Sequence, residues 1–190
     1  MIFNNLLNFI NNSYIFSKKK IRSLYLSSNI YNKKITPSTA GSLEYHPSPN
    51  FLDSLIKYDK KKINIENYSL NKIWDNKNLK EKDYRSLNSF FWLFSLDLRS
   101  SKKDTQSVIL QWIDKNHRYN PKSWELDIVA KRIIAWTSNS RLTYENGNTD
   151  YKEKFNSVVK KQINHLINEI EKSEWVDDKI IGCAAIILTG

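Results

Sequence analysis

Turn-forming residues are scarce: four glycines and four prolines in 190 residues. Antiparallel all-β folds need a turn every few residues, so that scarcity argues for helices instead. Cysteine is scarcer still. The single thiol, Cys183, excludes an internal disulfide, and its neighbours in GCAAIIL suit a small buried residue. The three histidines, His46, His117 and His165, are scattered, and no Cys/His set has zinc-ligand spacing. Neither a metal nor a cofactor is expected.

Long apolar runs are missing too, so no transmembrane segment is expected. The opening MIFNNLLNFINNSYIFSKKK lacks the export pattern: asparagines interrupt its apolar part, and no basic residue comes before it. Lys18–Lys20 follow that part, which would suit a helix lying on a membrane surface; the alternative is that Leu6, Phe9 and Ile10 dock on the domain. Cytoplasmic and envelope-associated locations both stay open.

What the chain has is bulk and positive charge. Six Trp, ten Tyr and eight Phe supply material for a packed core. The net charge is +10, and residues 1–86 hold most of it, with 15 Lys and Arg against 7 Asp and Glu. Such a balance fits an anionic partner, or a Lys-, Asn- and Ile-rich composition with no partner behind it. Nucleic acid is the less favoured partner, because the excess forms no continuous stripe along one helix.

Texture divides the chain at about residue 80. Residues 1–80 are expected to be a loop-rich lead-in with a short helix and with short strands or turns around 63–68; TPSTAGSLEYHPSPN is loop chemistry. Residues 81–190 have a helical period throughout. The first helix is expected over 82–99, where LNSFFWLFSLDL lacks a wet face and must be covered on two sides. Others follow over 103–115, 124–141, from Asp150 as N-cap, and over 177–190, the last nearly all apolar and expected to be buried. Arg132 falls inside an apolar arc and calls for a carboxylate, with Asp127 or Asp97 the candidates. Gln162 lies within the apolar stripe of its helix and His165 on its edge.

Three stretches, LNSFFWLFSLDLR (87–99), ILQWIDKNHRYNPKSWELDIVAKRIIAWTS (109–138) and YKEKFNSVVKKQINHL (151–166), come in an order that resembles the N-terminal helical region of bacterial heparinase II/III-like proteins. The lead-in ending in KIWD is similar as well. The resemblance implies a mainly α fold, an array of helical hairpins forming part of an (α/α) toroid, with a β-sandwich domain beyond Gly190. It also implies a polysaccharide lyase acting on acidic glycans by β-elimination: a base removes the C5 proton of a uronate and the C4–O bond breaks. The Asn–His pair of such lyases has no match in DDKIIGCAAIILTG, so the resemblance assigns no catalytic residue. The candidate substrate contacts are Asn116, His117, Arg118, Tyr119 and Trp124 in one interhelical loop, and His165. The alternative function is a non-catalytic helical domain that binds an envelope glycan or a partner protein.

Overall fold

The computed structural model describes residues 2–37, 74, 79–95 and 102–189, with side chains from Asn11 onward. Among these residues there is no strand. Eight helices follow in order: α1 (Ile2–Leu26), α2 (Asn29–Ile35), α3 (Glu81–Ser89), α4 (Lys102–Asn116), α5 (Leu126–Ser138), α6 (Ser140–Thr143), α7 (Thr149–Glu169) and α8 (Val176–Ile187). Short 3₁₀ turns follow α3 at Phe91–Ser95 and α7 at Ile170–Lys172. The mainly helical fold expected from composition and period is the one observed. The expected strands or turns around 63–68, Asp97 and Leu96 lie outside the described residues, as do the side chains of Leu6, Phe9 and Ile10.

Local chemistry explains where the helices begin. Ser28 caps α2, its hydroxyl accepting from the Tyr31 N–H at 3.2 Å. Between α4 and α5, the Asn120 side chain accepts from the backbone N–H groups of Lys122 and Ser123, so the chain turns at Asn120–Pro121. The cap of α7 is Asn148, two residues before the expected Asp150: Asn148 Oδ1 accepts from the Tyr151 N–H at 2.8 Å. The helix expected over 124–141 is shorter, and after Asn139 the chain makes the separate turn of α6.

Helix α5 is the centre of the fold. It packs against α3, α7 and α8, and the 3₁₀ turn after α3 touches it as well. Helices α4 and α7 also pack on each other. Ile128, Val129, Ile133, Ile134 and Trp136 of α5 are buried with Trp112 of α4 and Phe155 of α7. Part of the lead-in belongs to the same core: α2 packs on α7, and its Tyr31 and Ile35 are fully buried.

The segment that seemed to need covering on two sides is not one helix. It breaks at Phe90, whose φ of 57° and ψ of 11° are left-handed, and continues as a 3₁₀ turn. For a residue with a Cβ that geometry costs roughly 1–2 kcal/mol. The compensation is packing. The Phe90 ring is fully buried among Trp74, Trp92, Trp112 and Trp136, with ring centroids 5.1 to 6.0 Å away. A regular helix would carry that ring elsewhere. The turn also lets the Trp92 indole donate back to the Leu87 carbonyl at 3.2 Å.

Helix α8 departs furthest from expectation. Its Ala185 and Gly182 face inward, but Val176, Ile180, Cys183 and Ile187 are exposed. The expected buried thiol is therefore at the surface. Gly182 is where α8 comes closest to the body: a Cβ there would meet the Ile170 side chain at 1.8 Å.

Candidate functional site

Two polar features stand out against the aromatic core: a buried seam and an open cleft beside it. The seam centres on Arg132, which is fully buried. Its Nη1 donates to the carbonyls of Asn88 at 2.8 Å and Ser123 at 3.0 Å, and its Nε donates to Gln162 Oε1 at 3.1 Å. The guanidinium lies over the Trp112 ring, 4.0 Å from the centroid. No carboxylate reaches it among the described residues. Asp127, one of the two expected partners, is bound by Arg85 at 2.7 Å instead. Burial pulls the guanidinium down to about 9, which still leaves it protonated at neutral pH. Three fixed acceptors and an aromatic face do the work expected of an acid. Nearby, the Trp112 indole donates to Asn88 Oδ1 at 2.8 Å, and Trp74 of the lead-in donates to the Val108 carbonyl at 3.0 Å.

The cleft, of about 600 Å³, is lined by the end of α1, the loop before α5, the last turns of α7 and the turn before α8. His165 forms its back wall and is 2 % exposed. The Tyr31 hydroxyl lies 2.8 Å from His165 Nδ1, and His165 Nε2 lies 3.2 Å from the Trp124 carbonyl. A carbonyl only accepts, so the ring proton belongs on Nε2 and the phenol donates to Nδ1. Burial pushes the imidazole down to about 4, so it is neutral, and burial raises the phenols of Tyr31 and Tyr119 above their usual range. One helical turn beyond His165 is Glu169, paired with both Arg22 and Lys172. Burial would raise its carboxyl, but the bonds from Lys172 and Arg22 outweigh that and hold it below the ordinary range. Trp175, 72 % exposed, offers an uncovered ring at the rim.

The structure gathers three of the six candidate contacts into this cleft: Tyr119, Trp124 and His165, with ring centroids 5.5 to 6.2 Å apart. The other three lie elsewhere. Asn116 is tied up internally, donating to the Trp112 carbonyl and accepting from the Ser123 hydroxyl. His117 is exposed and lines a separate groove beside Lys154 and Lys161. Arg118 is exposed and does not line the cleft. Sequence reasoning missed Tyr31, Arg22, Glu169 and Trp175. Only Glu169 carried a local signal, since it lies four residues after His165 and so on the same side of the helix.

Among the described residues no group of three or more His, Cys, Asp or Glu could hold a metal ion, and no helix is long and apolar enough to cross a membrane. No family model, curated protein or solved structure matches the chain.

Proposed function

We propose that this chain is the N-terminal helical segment of a heparinase II/III-like polysaccharide lyase, where it supplies scaffold and one wall of the cleft for an acidic glycan. One observation carries the reading. The separate stretches that resemble the family are joined by a single buried cluster: Asn88 from the first, Trp112 and Arg132 from the second, and Gln162 from the third. The three stretches, which come in the family's order in the sequence, thus share one core in the fold. In this reading the packed helices α3 to α8 are the start of an (α/α) toroid, and the exposed apolar side of α8 carries its next helical hairpin.

In this reading His165 holds and orients and does not abstract a proton. Both nitrogens of His165 are engaged, and its low pKa makes it a weak base. The base for the C5 proton and the group that neutralises the uronate are, in this reading, other residues than His165. Trp175 and Tyr119 offer ring faces to sugars, with Lys19 at the rim. The test is ultraviolet absorbance of the unsaturated product, using the full-length protein on a panel of uronate polymers. Absorbance should rise with at least one polymer, and Trp175→Ala should raise KM while leaving kcat in place. No rise with any polymer contradicts the proposal.

A second reading, a non-catalytic domain that binds a weakly charged envelope glycan or a partner protein, is favoured by the pairing of cleft charges. Arg22 is held by Glu169, and Arg85 by Glu125 and Asp127. Those pairs leave little field for a polyanion. Retention of a glycan on an array, with no new absorbance from the same glycan, would select this reading.

A further inference from the structure

Over its last two turns helix α1 has two unlike sides, and only one of them is used by the fold; before them Ile15 and Phe16 are exposed on the Lys19 side as well. Advancing about 100° per residue, Lys19, Arg22, Ser23 and Leu26 share one side, and all four line the cleft. Leu26 is buried there, and Arg22 reaches Glu169. Tyr14, Ser17, Ile21 and Leu24, with Tyr25 at the edge, fall on the opposite side. There Tyr14 is 67 % exposed, Ile21 67 % and Leu24 65 %. Lys18 and Lys20 flank this apolar stripe, one on each edge, and both are exposed. Every described residue from Asn11 to Ile21 is exposed, so the helix stands clear of the body there.

Charge indicates what covers the stripe. Residues 1–43 contain six Lys and Arg and no Asp or Glu. Besides the lysines of α1, the basic residues include Lys33 and Lys34, exposed on α2 next to Ile30. An apolar stripe edged by long cationic side chains matches the boundary between acyl chains and anionic headgroups: the stripe enters the first layer and the lysines extend to the phosphates. A protein partner would need a strongly acidic groove of matching shape, and a second copy of this segment would repel the first. We propose that α1 is an interfacial anchor that lays the Tyr14–Ile21–Leu24 side along an anionic lipid surface, leaving the cleft on its other side open. It lies on the membrane and does not span it.

Co-sedimentation of the full chain with vesicles tests this. The protein should pellet with mixed phosphatidylcholine–phosphatidylglycerol vesicles and stay in solution with phosphatidylcholine alone, and added salt should release it. Lys18→Gln with Lys20→Gln should lower the partition coefficient roughly thirtyfold. Ile21→Ser with Leu24→Ser should lower it by roughly tenfold or more. All four positions are exposed, so circular dichroism should show unchanged helix content at the core. Equal binding to both vesicle types, binding to neither, or double variants that bind like the parent would overturn the proposal. So would concentration-dependent dimerisation that Ile21→Ser abolishes without any vesicle binding.

Discussion

Helices α5 and α8 have similar sequences in one respect and opposite fates. LDIVAKRIIAWTS and VDDKIIGCAAII are both dominated by Ile, Val and Ala. Yet nine of the thirteen residues of α5 are buried, including an arginine, while only two of the twelve in α8 are. The two helices pack on each other, and both also pack on α7. What α5 has in addition is α3 and the 3₁₀ turn that follows it. Apolar content thus sets how much surface a helix can bury; the number of neighbours decides how much it does bury.

Substitutions at matched positions should separate the two helices by measured stability. The largest effect belongs to Arg132→Ala. It strips the hydrogen bonds from Asn88 O, Ser123 O and Gln162 Oε1 in a site without water access, and should cost roughly 3–5 kcal/mol by urea denaturation. Next is Ile133→Ala in α5, a fully buried position that should lose roughly 2–5 kcal/mol to the lost transfer energy and the cavity.

His165 gives an effect of similar size that depends on pH. The unfolded chain takes up the imidazole proton near the ordinary value of 6.5, the folded chain only near 4. Unfolding therefore binds a proton between those values, and stability should fall as pH drops through that window, by up to about 3 kcal/mol. His165→Gln should flatten that slope, as read from denaturation midpoints between pH 7 and 4. The smallest effect is in α8. Ile187→Ala, at a position 79 % exposed, should change stability by less than about 0.5 kcal/mol. A large loss there in the 190-residue chain, comparable with that at Ile133, would mean that α8 is already covered within it and would break the comparison.

The helical class and most helix spans were legible in the sequence because the 3.6-residue period of 102–116 and 149–169 is regular. The break at Phe90 was not legible. Nothing in SFFWLFS forbids a helix, and the left-handed turn packs its ring among the nearby Trp92 and three tryptophans from farther along the chain, Trp74, Trp112 and Trp136. Arg132 was legible as a buried cation but not in its partners, because backbone carbonyls leave no mark on a sequence. The cleft was half legible. Tyr119, Trp124 and His165 announced themselves as polar or aromatic residues at helix edges and in a loop. Tyr31 lies 134 residues before His165, and only the packing of α2 on α7 brings the two together.

The central claim is that the stretches carrying the resemblance form one interlocked unit through the Arg132 seam. A double-mutant cycle of Arg132→Met and Gln162→Leu, read by chemical denaturation, tests it most directly. Interlocking predicts a coupling energy of roughly 1–3 kcal/mol between the two sites. Effects that add to within about 0.3–0.5 kcal/mol would contradict it.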